Sequence, residues 1–201
     1  MRTHLESRRQ GFTLIELLMV VVIASLLFIA APRVTAWSSG LEIRLAAYEL
    51  VSTLRLARAS AIRLGANVGV KFRTAADGGV SFTLYEDGDG DGVRTRDIES
   101  GVDPRVGLPR ELRHFGRHVW LGFPAGVRPR DPGDPRRRLG NLRDPVRFNR
   151  SDLASFGPLG GSTPGSLYLT DGHHHLWAVR VFGRTGKVKI LRYDIRKEIW
   201  S

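Results

Sequence analysis

One continuous apolar stretch near the N-terminus constrains this chain more than any other feature. Residues 12–31 are interrupted only by Thr13, Glu16 and Ser25. At a rise of about 1.5 Å per residue, some twenty helical residues match the roughly 30 Å hydrocarbon core of a bilayer. The stretch therefore predicts a single membrane-spanning helix.

The charge around this stretch predicts its orientation. Residues 1–11 are short and polar, with three arginines against one glutamate, and no other long apolar run follows. Positive charge before a span favours a cytoplasmic N-terminus, so we expect the rest of the chain on the far side of the membrane. A cleaved signal peptide or a plain anchor would also be apolar, but neither gives a reason for the carboxylate of Glu16.

The residues around Glu16 carry a specific resemblance. The run GFTLIE, from Gly11 to Glu16, resembles the processing site of type IV prepilins and type II secretion pseudopilins. The resemblance implies that prepilin peptidase cuts between Gly11 and Phe12 and that the new Phe12 amine is methylated. It also implies an assembly role for Glu16, as the partner of the amine of a neighbouring subunit, with pairing inside one chain as the alternative.

A second helical segment is expected over residues 32–64, as a continuation of the membrane helix. Its apolar side chains recur at alternating spacings of four and three residues, at Ile43, Ala47, Leu50, Leu54, Ala57, Ala61 and Leu64. Such a stripe predicts an amphipathic helix that ends near Gly65 and packs on the protein's own sheet, with contact to a partner helix as the alternative. The Ala- and Arg-rich residues 54–63 are similar to the helix end of GspH/FimT-type minor pseudopilins.

Residues 65–201 have the pattern of an antiparallel β domain. Alternating apolar residues and turn residues predict seven strands, within 67–73, 80–86, 118–123, 146–148, 166–170, 176–182 and 187–193. Residues 124–165, which hold much of the Pro and Gly, are expected to form a long surface excursion. The predicted fold class is α+β, with a long N-terminal helix packed on an antiparallel sheet of about seven strands. The resemblance implies that this is the pilin fold, preceded by a leader over residues 1–11.

An alternation of Asp and Gly suggests a calcium loop. Carboxylates at alternate positions can converge on one hard cation, and glycine at the sixth position permits a sharp turn. A full loop has Glu at the twelfth position, which here is Ile98, with acidic residues on either side. Two interpretations stay open: a soluble turn, or a Ca²⁺ site made from Asp87, Asp89, Asp91, Asp97 and Glu99.

The formal net charge of +11 raises the question of nucleic acid. Eight arginines lie within residues 128–150, and Arg184, Lys187 and Lys189 charge the last predicted hairpin. This hairpin is loosely similar to the basic region through which some FimT-type minor pilins bind DNA. A solvated basic face is the other interpretation.

No arrangement of nucleophile and base, phosphate loop or paired carboxylates stands out, so the sequence predicts no enzyme. The predicted function is a minor pseudopilin of a type II secretion pseudopilus or a type IV pilus, in the bacterial inner membrane with a periplasmic domain. The implied partners are other pilins or pseudopilins, prepilin peptidase and the inner-membrane assembly platform. The alternative is a DNA-binding minor pilin of natural competence.

Overall fold

A single helix, α1 (Leu14–Leu64), opens the described part of the chain. Its sequence is rich in Leu and Ala, which are strong helix formers. The helix ends where Gly65 adopts a φ of 68° and donates its backbone N–H to the carbonyl of Ala61. Glycine has no Cβ to clash in this left-handed conformation, so Gly65 ends the helix as its position predicted.

The computed structural model describes residues 13–75, 79–116, 118–149 and 151–201, without the side chains of residues 29–39. The chain divides into two compact units, Met1–Ser38 and Ser39–Ser201. The strands, the acidic loop and the basic hairpin all belong to the second unit.

Twelve strands follow α1 in the described residues, and every pair of neighbours is antiparallel. They are β1 (Val68–Thr74), β2 (Val80–Glu86), β3 (Arg105–Glu111), β4 (Trp120–Leu121), β5 (Arg130–Asp131), β6 (Asp134–Arg138), β7 (Val146–Arg147), β8 (Leu153–Phe156), β9 (Gly165–Thr170), β10 (Leu176–Phe182), β11 (Lys187–Asp194) and β12 (Ile199–Trp200). A short helix, α2 (Thr95–Ser100), lies between β2 and β3.

The strands form two main sheets and a separate hairpin. The first sheet has the order β3-β2-β1-β8, and Val70 of β1 lies opposite Leu84 of β2. The second has the order β12-β11-β10-β9-β4, with β7 also paired to β9. Strands β5 and β6 pair only with each other among the described strands.

The main core lies between the second part of α1 and these two sheets. Six of the seven residues of the predicted stripe, from Ile43 to Ala61, have no exposed surface, whereas Leu64 at the helix end is 39% exposed. The stripe packs with apolar residues of both sheets, among them Phe72 and Leu167. This confirms the predicted α+β class with a long helix packed on antiparallel sheet.

The strand count is higher than the expected seven. Each predicted strand overlaps an observed one, but β3, β5, β6, β8 and β12 were not expected. The idea that residues 124–165 are only a surface excursion is wrong, because β8 pairs with β1 and buries Leu153, Ala154 and Phe156. Strand β3 has seven residues but is exposed over almost its whole length, so it shows no alternation of buried and exposed residues. The other four are short and take their extended backbone from the neighbour they bond to, so their own sequence carries little period-two signal.

Candidate functional site

The first turn of α1 contains Glu16, the carboxylate within the apolar stretch. Its Oε2 accepts hydrogen bonds from the backbone N–H and from the hydroxyl of Thr13, both at 2.8 Å. The backbone N–H of Glu16 donates in return to the Thr13 hydroxyl oxygen, at 3.4 Å. This is a capping box, which supplies partners to N–H groups that a helix start leaves free. The Thr-x-x-Glu spacing is the sequence signal that could have predicted it.

The predicted cleavage and methylation residues, Gly11 and Phe12, lie outside the described residues. The large apolar side chains between Leu14 and Phe28 are 49–84% exposed. In this they contrast with the buried stripe further along the same helix.

Over the part of the chain that the structure describes, no helix combines the length and the apolar character that a bilayer crossing requires.

The loop after β2 brings three carboxylates together. Asp87, Asp89 and Asp91 each place an oxygen within 4.8 Å of the others. Asp87 is buried, whereas Asp89 and Asp91 face solvent. Gly92 adopts a φ of 95°, which allows the backbone to turn sharply at the position where the sequence placed the turn. The predicted convergence of these three residues is therefore present.

Asp87 organises this loop through its hydrogen bonds. Its Oδ1 accepts from the N–H of Gly90 at 2.8 Å, and its Oδ2 accepts from the N–H of Gly92 at 2.9 Å and from the Asn67 amide at 2.7 Å. Burial acts to raise the pKa of Asp87, but these hydrogen bonds outweigh burial and hold the pKa below its usual value. The carboxylate is therefore ionised at neutral pH.

A small apolar core fixes α2 beside the loop. Ile98 occupies the position where a full calcium loop has Glu, and its side chain is buried with Tyr85, Val93 and Leu153. The hydrophobic contact explains why this position is apolar. It also orients α2, so that the residue before Ile98 faces inward.

That preceding residue is Asp97, which is only 5% exposed. Its Oδ1 accepts a hydrogen bond from Arg96 Nε at 3.1 Å, and its Oδ2 is fully buried without a hydrogen-bond partner among the described residues. Desolvation, together with the nearby carboxylates of Asp89 and Asp97, raises the pKa of Asp91 against the opposing charge of Arg94. The backbone carbonyl of Asp97 accepts the N–H of Asp103 at 3.1 Å, whereas Glu99 faces solvent.

Asp103, which the sequence did not single out, closes the base of the loop. It is 1% exposed, and its carboxylate accepts from the N–H of Gly88 at 3.1 Å and from the N–H of Arg94 at 2.9 Å. Gly88 packs so closely that a Cβ there would lie 2.0 Å from the carbonyl oxygen of Val102. Asp103 lies beyond α2, and no spacing rule connects it to the loop.

The hairpin of β10 and β11 contains the predicted basic residues Arg184, Lys187 and Lys189. Lys187 and Lys189 are exposed and lie opposite Phe182 and Arg180 in the register. Lys189 Nζ lies 6.0 Å and Arg180 Cζ 5.4 Å from the centre of the Phe182 ring, within cation–π range. Arg184 lies in the connecting turn. The sequence missed Phe182 and Arg180, because register alone brings them beside the lysines.

Three of the eight arginines within residues 128–150 make internal contacts among the described residues. Arg130 and Arg138 both pair with Glu198, at 3.1 and 2.7 Å. Arg147 donates to three backbone carbonyls of the preceding loop. These side chains support the structure, so the net charge of the window overstates its free basic surface.

Two family models match the chain. The prokaryotic N-terminal methylation motif covers residues 7–32, and the type II transport protein GspH model covers residues 46–185. Searches of curated proteins and of solved structures each found no match.

A long N-terminal helix that packs on antiparallel sheets, together with a methylation motif at its start, defines a pilin-like subunit. Because the second model matches more than half of the chain, the chain belongs to the GspH family of type II transport proteins. Members of this family are structural pseudopilin subunits. The expected resemblance to GspH/FimT-type pseudopilins is confirmed.

Proposed function

We propose that this chain is a minor pseudopilin, made as a precursor and assembled with other pseudopilins into the filament of a type II secretion system or a related type IV pilus. One observation carries the proposal. The methylation motif over residues 7–32 and the GspH region over residues 46–185 lie on one chain, and helix α1 includes the end of the first and the start of the second. We take the N-terminal segment to serve membrane insertion and assembly, and the rest of the chain to form the pilin-like domain.

In this proposal, prepilin peptidase removes residues 1–11 and Phe12 becomes a methylated N-terminus. Residues 12–31 anchor the subunit in the inner membrane, with a cytoplasmic N-terminus and a periplasmic domain. The inner-membrane assembly platform then adds the subunit to the filament. Glu16 pairs with the Phe12 amine of a neighbouring subunit, because each charge needs a partner in lipid.

Mass spectrometry of the membrane-bound protein tests the processing step. We expect a chain that begins at Phe12 and is one methyl group heavier than its sequence. In a strain without prepilin peptidase, the chain should retain residues 1–11. A native protein that keeps its leader in the presence of the peptidase would contradict the proposal.

A second candidate function is DNA binding during uptake, and the β10–β11 hairpin favours it. Exposed Lys187 and Lys189 lie beside Phe182, with Arg184 in the adjacent turn. Cations next to an aromatic ring suit a single strand, because the cations neutralise phosphates and a base can stack on the ring.

Gel-shift assays of the full chain across a salt series test this second function. We expect the double variant Lys187→Gln, Lys189→Gln to bind single-stranded DNA at least about tenfold more weakly, with a shallower salt dependence. Lys197→Gln, in the loop after β11, is the matched control and should bind like the wild type. Absence of salt-sensitive binding by the wild type removes this candidate.

A further inference from the structure

The segment from Asp87 to Asp103 is the acidic exception in a basic chain. It holds six acidic side chains and two arginines, whereas the whole chain carries a net charge of +11. Three of the carboxylates converge within 4.8 Å of one another. Like charges this close are unfavourable unless a cation offsets them. Clustered acids at a loop are common on protein surfaces, however, so this cluster alone does not identify a site.

The side chain of Asp97 has a buried oxygen that points to a ligand independently of this cluster. Its Oδ2 is buried and has no hydrogen-bond partner in the described part of the chain. Burial of an ionised oxygen without a partner is strongly unfavourable, so such atoms are rare in folded proteins. Arg96 satisfies only the other oxygen. The backbone carbonyl of Asp97 accepts the N–H of Asp103 at 3.1 Å, and the carboxylate of Asp103 accepts the N–H of Gly88 in the loop, so Asp97 is held beside the three convergent carboxylates.

The remaining hydrogen bonds leave room for a ligand. Asp87 accepts hydrogen bonds from Gly90, Gly92 and Asn67, with a weaker one from the backbone N–H of Asp89, and these fix one carboxylate of the cluster in place. Asp89 is exposed, and its Oδ1 accepts the backbone N–H of Asp91 at the long distance of 3.3 Å. Arg94 pairs with Asp91 at an exposed position, from which a competing cation can displace it.

We propose that Asp87, Asp89, Asp91 and Asp97 bind one calcium ion, in a loop whose base Asp103 holds closed. The ligands are all hard oxygen atoms, which suits Ca²⁺ and Mg²⁺. Calcium fits better, because it tolerates irregular coordination by flexible carboxylates, whereas Mg²⁺ demands near-octahedral geometry. Glu99 is not part of the proposed site, because residues two apart on a helix point to different sides and Asp97 is the one that is buried. The proposal does not depend on filament assembly.

The ion would tie the loop to α2. Asp87, Asp89 and Asp91 belong to the loop, whereas Asp97 belongs to α2 and is positioned by the buried side chain of Ile98. A shared ion therefore links two elements that otherwise meet through a small core and Asp103. Calcium should raise the thermal stability of the domain.

Calorimetric titration of the chelator-treated full chain, in detergent, with CaCl₂ is the direct test. We expect one binding event, an increased Tm in excess CaCl₂ compared with chelator, and much weaker binding of MgCl₂. Asp89→Asn should weaken calcium binding about tenfold or more, because it removes a charged ligand that is exposed and makes few other contacts. Asp134→Asn, an aspartate in the separate hairpin, is the matched control and should titrate like the wild type.

Asp97→Asn separates the ligand role from a structural role. If Asp97 is a ligand, the variant loses the calcium-dependent increase in Tm, while its Tm in chelator stays the same or increases because an unpartnered buried charge is gone. If Asp97 is only structural, its Tm in chelator falls and its calcium response persists, which overturns the assignment. The whole proposal is overturned if the wild-type chain shows neither a heat of calcium binding nor a change in Tm. An equal response to MgCl₂ also overturns it.

Discussion

At Asp171, a single carboxylate organises the turn between β9 and β10. Its Oδ1 accepts the backbone N–H groups of His173, His174 and His175, at 2.9–3.1 Å, and its Oδ2 lies 2.6 Å from Nδ1 of His175. The backbones of these three histidines share one buried acceptor, which explains why a polar run can connect two core strands.

The titration of Asp171 leads to a prediction at this scale. Burial acts to raise its pKa, but the hydrogen bonds from the His175 ring and from three backbone N–H groups outweigh burial and hold the pKa well below its usual range. A depressed folded-state pKa contributes stability above the unfolded value of about 4, and this contribution is lost as the pH falls below about 4. Asp171→Asn should therefore reduce the free energy of unfolding by about 1–3 kcal/mol at pH 7.

Urea unfolding at pH 7 and at pH 3 checks this prediction. The difference between Asp171→Asn and the wild type should shrink at pH 3, where the wild-type carboxylate has lost part of its advantage. Asp134→Asn, whose side chain also accepts a backbone N–H but lies on a less buried hairpin, is the control. A difference of equal size at both pH values would show that shape, and not charge, is what Asp171 supplies.

At the scale of elements, α1 has two parts with different packing. Between Ile43 and Ala61 its apolar stripe is buried against the sheets, which is the usual source of helix stability in a folded domain. Its first turn is instead secured locally, by the capping box of Thr13 and Glu16. Glu16 therefore has a local role besides the proposed pairing with a neighbouring amine.

Two substitutions separate these roles of Glu16. Gln can still accept the Thr13 N–H in a capping box but carries no charge, whereas Ala removes both functions. If the charge pairs with a neighbouring amine, Glu16→Gln and Glu16→Ala should both reduce incorporation into filaments, at least about tenfold, because an unpaired amine in lipid is costly.

Quantification of sheared filaments, with membrane levels measured in parallel, checks this prediction. Glu99→Gln, which removes an exposed carboxylate of α2, should incorporate normally. Normal incorporation of Glu16→Gln together with failure of Glu16→Ala would assign Glu16 to the helix start alone.

At the scale of the whole molecule, the two units differ in how much of their apolar surface is buried. The first contains the exposed apolar side chains from Leu14 to Phe28, and the second buries its own apolar surface in a main core and smaller satellite cores. In the proposed filament, the exposed apolar side chains would be covered by neighbouring subunits through heterologous contacts, which generate open helical assemblies.

The sequence by itself determined the features that depend on local pattern. The helical stripe from Ile43 to Ala61, the hairpin strands β1, β2, β10 and β11, and the convergence of Asp87, Asp89 and Asp91 all follow from spacing within a few residues. Only the tertiary structure decided the rest. These features include the hydrogen bonds of Asp103 to the acidic loop and the burial of Asp97 with one oxygen that has no partner among the described residues. They also include the contact of Phe182 with Lys189 and the short strands such as β8. The physical reason is that these contacts depend on strand register and on packing between segments that are distant in the chain, which local residue spacing does not encode.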